Sequence, residues 1–257
     1  MKLAYRKIGS GNPLFILHGL FGSSDNWQTL GRQFAESFTV YLIDLRNHGR
    51  SPHSSNFSYS VMAGDINEVM ADEGIEKAFM LGHSMGGKAA MYFSVENPGK
   101  VEKLIVGDIG TKQYPVTHQL IIDALEQINL QTLSSRKEAE EILTLHIADA
   151  GTRQFLLKNL YWNDNEKLSW RFNLEAIKNN IINVGEATPM PTAPLILPVL
   201  FIKGEQSDYI LPEDMAQIQR IFPQACLEVI PSAGHWLHAD QPQQFFKTVM
   251  QFLRSGV

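Results

Sequence analysis

Three side-chain types, each directly after an apolar run, can do chemistry together in this 257-residue sequence: a serine, an imidazole and a carboxylate. Ser84 lies in Gly82-His83-Ser84-Met85-Gly86, a G-x-S-x-G run between a strand-like stretch (Ala78 to Leu81) and a helical pattern (Met85 to Glu96). That spacing predicts a sharp turn that lifts the hydroxyl clear of the strand, with Ser84 at positive φ. Gly82 and Gly86 are then needed because a Cβ at either would collide. The free N–H groups at the start of the next helix face the same spot, where a developing oxyanion would gain most. A serine hydroxyl is a weak nucleophile until a base takes its proton, and the base needs an acid to fix its tautomer. His235, in Ala233-Gly234-His235-Trp236, is the candidate base because it follows the last strand-like run within a glycine-led loop. Asp108 and Asp208 each follow a strand-like run, and either can be the acid. His18-Gly19-Leu20-Phe21-Gly22, after an early strand, supplies a second backbone donor, so the oxyanion pair is the N–H groups of Leu20 and Met85.

Two rival chemistries use the same residues. Gly82 to Ala89 nearly spells the phosphate-binding G-x-x-x-x-G-K-[ST] loop, and Asp108 could end its metal-binding strand. Ala89 has no hydroxyl to place on a metal ion, and three strands precede the loop where one is usual. His235 and His238 could form a metal pair, but no carboxylate–histidine spacing supports it. No metal and no cofactor are expected. His83 is read as packing inside the turn and His18 as bracing the oxyanion loop, with the remaining histidines solvated. Asp44 and Arg46 are read as structural, paired or tying down backbone.

The elements that must position these groups alternate. Strands are predicted at Leu3–Ile8, Leu14–Leu17, Phe38–Ile43, Ala78–Leu81, Val101–Val106, Leu197–Ile202 and Leu227–Ile230. The first two are joined by Gly9-Ser10-Gly11-Asn12-Pro13, read as a hairpin turn. Helical patterns intervene at Ser24–Ala35, Tyr59–Glu73, Met85–Glu96, after Pro212, and at Pro242–Leu253. Such alternation predicts a mostly parallel sheet covered on both faces, and parallel sheets offer their functional loops at the strands' C-terminal ends. From Thr111 to about Pro191 the pattern changes to helices alone, one opened by the capping box Ser135-Arg136-Lys137-Glu138. The expected organisation is a core of residues 1–110 and 192–257 with a helical cap, 111–191, inserted over the sheet's edge. Aromatics of that insert (Phe155, Tyr161, Trp162, Trp170, Phe172) are candidates for an acyl pocket.

Bulk properties restrict the partners. Apolar residues at 44 % and charged residues at 19 % belong to a globular chain. A net charge of −5, without any basic cluster, excludes a nucleic-acid backbone as partner. No apolar stretch is long enough to span a bilayer, Leu14 to Leu17 being only a strand's length, and the N-terminus has no signal-peptide pattern. The single cysteine, Cys226, permits no internal disulfide and is expected to be buried in its strand. A soluble, cytoplasmic protein acting on a small molecule is the expectation.

The motifs His18 to Ser23, Asp44 to Pro52, Gly82 to Lys88 and Gly234-His235-Trp236 resemble the α/β-hydrolase superfamily, and more narrowly the small bacterial esterases of the YbfF type. Gln154 to Lys158 and Trp170 to Asn173 look similar too, so the resemblance covers nearly the whole chain. It implies the α/β-hydrolase fold with a helical cap, and a serine carboxylesterase or thioesterase acting on short acyl groups through an acyl-enzyme. It also implies that the acid is Asp108, with Asp208 the alternative. On the same fold, a C–C bond hydrolase or a menaquinone-pathway-type lyase would use the same three groups.

Overall fold

The computed structural model describes residues 1–255. The chain begins with β1 (Tyr5–Gly9) and β2 (Pro13–Leu17), then a 3-10 turn and α1 (Gln28–Phe34), β3 (Thr39–Ile43) and α2 (Tyr59–Asp72). It continues through β4 (Ala78–His83), α3 (Met85–Glu96) and β5 (Val101–Gly107). A long excursion comes next: α4 (Gln119–Glu126), α5 (Arg136–Thr144), α6 (Ala150–Leu157), β6 (Leu160–Trp162), β7 (Leu168–Trp170), α7 (Leu174–Asn179) and α8 (Ile181–Val184). The chain then adds β8 (Val199–Gly204), α9 (Asp214–Ile221), β9 (Ala225–Ile230), α10 (Leu237–Asp240) and α11 (Pro242–Arg254).

Seven strands form one sheet in the order β1-β3-β2-β4-β5-β8-β9, and every pair is parallel except β1 with β3. The all-buried β4, Ala-Phe-Met-Leu-Gly-His, takes the centre because it can be covered on both faces. Its even and odd residues feed two apolar layers. Met80 joins Ile66, Met91 and Phe201 on one face, while Phe79 and Leu81 join Phe34, Phe245 and Val249 on the other. Because β2, β4, β5, β8 and β9 run the same way, the loops that leave them open at one edge. No helix among the described residues is long and apolar enough to cross a membrane.

Three expectations are corrected. The joint at Gly9 to Pro13 is not a hairpin turn: β1 pairs with β3, Tyr5 opposite Ile43, so β1 and β2 flank the same strand instead of each other. The excursion is not purely helical, because β6 and β7 form an antiparallel hairpin with Leu160 opposite Trp170. Three-residue strands are too short to show a period of two. The turn chemistry between them was the available sign: Asn163 Oδ1 accepts the N–H groups of Asn165 and Lys167 at 3.0 and 3.1 Å, and Glu166 takes a φ of +55°. Cys226 is exposed instead of buried, since β9 is an edge strand whose middle residues face out.

The excursion packs on the loops at the strand ends. Its two stems meet there, Thr188 N–H donating to the Thr111 carbonyl at 2.8 Å and Tyr114 N–H to the Gly185 carbonyl at 2.8 Å. Lys88 of α3 holds both stems, its buried Nζ donating to the carbonyls of Lys112 (2.6 Å) and Glu186 (2.8 Å).

Between β4 and α3 the backbone reverses so tightly that a Cβ on Gly82 would run into the Gly86 carbonyl, and one on Gly86 into the carbonyls of Leu17 and His18. These obstacles are backbone atoms, which cannot swing aside. Gly86→Ala should therefore destabilise the chain by about 3 kcal/mol or more. Urea unfolding of the variant beside wild type checks this, and a difference below about 0.5 kcal/mol would contradict it.

Candidate active site

Ser84 occupies the turn between β4 and α3 at φ +52°, ψ −119°, a strained conformation for a residue with a side chain. Two backbone bonds hold it there: its N–H donates to the Gly107 carbonyl at 2.9 Å and its carbonyl accepts from Lys88 N–H at 3.0 Å. The hydroxyl is thereby aimed at the loop after β9, where His235 Nε2 lies 3.1 Å from Ser84 Oγ. The other ring nitrogen, Nδ1, lies 2.7 Å from Asp108 Oδ2. A carboxylate there accepts the Nδ1 proton, which leaves Nε2 free to take the serine's.

Asp108 directly follows β5, is fully buried and also has positive φ, at +50°. Its Oδ1 accepts the Gly204 N–H at 3.1 Å, and Oδ2 also accepts from the Ser207 hydroxyl. Asp208, the alternative acid, is exposed at a cavity rim, and the imidazole contacts Asp108 in its place. The loop after β8 decides this. Ser207 N–H folds back on the Gly204 carbonyl (3.0 Å), which sends the Ser207 side chain inward and its neighbour outward. Position along the sequence could not separate the two, since both follow a strand in the same sheet; only the family resemblance favoured Asp108. Ser207, as the carboxylate's second partner, went unnoticed because nothing marks one serine in a polar loop.

The loop after β2 also approaches Ser84, a Cβ placed on Gly19 lying 3.4 Å from Ser84 Cβ. Neither Leu20 N–H nor Met85 N–H is taken by an acceptor among the described residues. His18 braces this loop as expected, its ring bonding to the Gly19 carbonyl (2.8 Å) and accepting Leu45 N–H (3.0 Å). His48, expected in solvent, is instead fully buried, donating through Nδ1 to the Arg46 carbonyl (2.9 Å) and accepting Phe21 N–H at Nε2 (3.2 Å). His83 packs in the turn and donates from Nε2 to the His235 carbonyl at 2.7 Å, so it holds the backbone of His235. His238 is not paired with His235 but stacked on Trp27, ring centroids 4.3 Å apart. Tyr209 stacks on His235 at 4.1 Å. Asp44 ties down the N–H groups of Ser24 (2.6 Å) and Arg50 (2.9 Å), whereas Arg46 pairs with Asp65 of α2 at 2.6 Å.

Two cavities meet at Ser84 and His235. The smaller, about 230 Å³, is bounded by Leu20, Phe155, Leu156 and Trp236; the larger, about 650 Å³, by Met85, Ile109, Tyr114 and Val184. Of the insert's five candidate aromatics only Phe155 lines either; Trp170 and Phe172 stack on each other, Tyr161 carries the Arg171 guanidinium, and Trp162 is exposed. Among the described residues, no group of three or more histidine, cysteine, aspartate or glutamate side chains is arranged to hold a metal ion. Lys88 points to the carbonyls of the insert's stems, not into the turn where the rival reading needs it on a phosphate.

Burial keeps the bracing histidines neutral. Desolvation, then the neighbouring His18, pushes His48 down to about 3; desolvation, then His235, pushes His238 down to about 3. Desolvation also lowers His18 and His83. An unfolded histidine near 6.5 binds a proton that the folded one refuses, so between that value and about 3 the unfolded state binds more protons. Stability should therefore fall as pH drops through this window, by up to about 1.4 kcal/mol per pH unit for each such histidine. Urea unfolding from pH 7 to 5 measures the slope. His238→Phe, which keeps the stack on Trp27, should remove close to one proton from it, and an unchanged slope would refute the assignment.

Three comparisons bear on this arrangement. Residues 12–133 match the alpha/beta hydrolase fold. A marine microorganism esterase of known structure is 45 % identical, with a TM-score of 0.96, covering 98 % of this chain and 99 % of its own. Esterase YbfF of Escherichia coli is 33 % identical over 95 % of this chain and 94 % of its own length. The sn-1-specific diacylglycerol lipase ABHD11 of Danio rerio is 36 % identical over 96 % of this chain and 80 % of its own.

Proposed function

Because the chain belongs to the alpha/beta hydrolase fold family and is a serine hydrolase of the esterase and lipase kind, we propose that it cleaves small acyl esters or thioesters through an acyl-enzyme on Ser84. The observation that carries this reading is the unbroken relay from Ser84 Oγ through His235, 3.1 Å on one side and 2.7 Å on the other, to a buried Asp108. His235 takes the hydroxyl proton as Ser84 attacks the acyl carbon, and Asp108 stabilises the imidazolium. The oxyanion lies against the N–H groups of Leu20 and Met85, each worth about 3–4 kcal/mol in comparable sites. His235 returns its proton to the leaving alcohol or thiol, and a water activated by the same imidazole releases the acid. No cofactor enters the scheme.

The cleft supports an ester-shaped substrate, because it extends to both sides of Ser84, one arm for the acyl group and one for the leaving group. The smaller arm, about 230 Å³, lies below the usual range of about 300–1,000 Å³ for small-molecule pockets and favours a short chain. Residues 111–191 act as the cap that shapes both arms. The lone cysteine fits action in the reducing cytoplasm.

Turnover of p-nitrophenyl acetate and butyrate, with fluorophosphonate labelling, tests the reading. Wild type should do both, and Ser84→Ala should lose about 10⁴-fold or more in kcat and all labelling. Labelling without ester turnover would point to C–C bond cleavage or a lyase and overturn the esterase assignment. Asp108→Asn should lower kcat by about 10⁴-fold through the wrong tautomer while Asp208→Asn leaves it within about threefold. The reverse ranking would reject Asp108 as the acid.

A further inference from the structure

Phe21 stands in an expensive conformation beside the proposed oxyanion donor. Gly22 N–H donates to the Gly19 carbonyl at 2.9 Å, closing a four-residue turn with Leu20 second and Phe21 third. Phe21 has a φ of +58°, a region that costs a bulky residue and persists only when its surroundings enforce it. Both of its backbone polar groups are held by buried side chains. His48 Nε2 accepts its N–H at 3.2 Å, and Asn159 Nδ2 donates to its carbonyl at 2.7 Å. Its ring meets Phe172 edge-on at 5.1 Å.

Asn159 comes from the inserted segment, 138 residues further along the chain. It sits at the foot of the β6–β7 hairpin, where its own carbonyl accepts Arg171 N–H at 2.9 Å. The bland explanation for this amide is a cap on the end of α6, because Nδ2 also faces the carbonyls of Phe155 and Leu156. Both of those contacts are 3.4 Å, at the limit for a hydrogen bond, against 2.7 Å to Phe21. Distance therefore assigns the amide to the oxyanion loop.

We propose that Asn159 is a positioning residue for the reaction: its amide, reaching across from the insert, fixes Phe21 in the left-handed conformation and thereby aims the Leu20 N–H at Ser84. This rests on the reading of Leu20 as an oxyanion donor. Without the Asn159 bond Phe21 relaxes towards negative φ, the turn from Gly19 to Gly22 opens, and the donor swings off target. The hole is then complete only while the hairpin foot is seated, so the insert contributes to catalysis as well as to the shape of the cleft.

Asn159→Asp keeps the size but replaces the donor with an acceptor that repels the Phe21 carbonyl. The expected result is a kcat lowered about 10- to 100-fold with KM within about threefold, a fraction of the effect of deleting a donor outright. Binding of a trifluoromethyl ketone, whose adduct with Ser84 places an oxyanion in the hole, should weaken by the same factor as kcat/KM. Asn159→Ser, whose hydroxyl is too short for the gap, serves the same purpose where the aspartate unfolds the chain. A folded variant with wild-type kcat, or one that loses kcat/KM with unchanged ketone affinity, would overturn the proposal and leave Asn159 a helix cap. A wild-type chain that neither turns over esters nor binds the ketone would sink the esterase reading and this inference with it. Wild-type activity and ketone binding beside an unimpaired variant would sink this inference alone.

Discussion

The rest of the structure depends on how closely α3 approaches β2 and β4. A helix that touches the Leu17 and His18 carbonyls through Gly86, with Gly82 against its first turn, leaves no alternative path for the residue between them. Ser84 is driven to φ +52°, and that strain is sustained by packing across the whole sheet centre, with Ala89, Ala90, Met91 and Phe93 of the same helix fully buried. Topology then places the other groups. The strands beside β4 deliver the loop bearing Leu20 (from β2) and the carboxylate (from β5). The next two, β8 and β9, deliver Ser207 and His235. Parallel strands bring all of these to one edge without any further instruction.

Around this centre the protein uses neutral imidazoles as backbone braces. His18, His48 and His83 each bond main chain in the loops beside Ser84, and only the unprotonated ring can accept as His18 and His48 do. Their burial removes the charge that would spoil the bond, so desolvation serves geometry here. Lys88 of α3 is a buried counterpart that also bonds main chain. Burial pushes it down to about 7, and both of its carbonyl partners belong to the stems of the insert. The helix that follows Ser84 is thus tied directly to both stems of the inserted segment.

The sheet, its helices and the strand ends that carry Ser84, Asp108 and His235 were legible because each rests on a local signal: an apolar run, a helical period, a glycine pair. What sequence did not deliver was contact between distant segments. The Gly9 to Pro13 joint carries good turn residues, yet a turn does not say whether its flanking strands pair, and β3 intervenes. Asp108 and Asp208 were equivalent on position, and the fold of a four-residue loop separates them. The β6–β7 hairpin escaped because its strands are too short to show a pattern, and with it went Asn159, an ordinary asparagine after a helix. His48 sits in a polar, basic stretch that reads as solvated, and distant segments bearing His18, Phe21 and Phe57 pack against its ring.

The central claim is covalent, so the most direct measurement looks for the bond. Acid quenching of the protein within milliseconds of mixing with p-nitrophenyl acetate, and then peptide mass spectrometry, reads where the acyl group resides. An acetyl group on the peptide containing Ser84, formed as fast as the first p-nitrophenolate is released, is the predicted result. Steady turnover with no acyl peptide, or with the acetyl group on another residue, would contradict it.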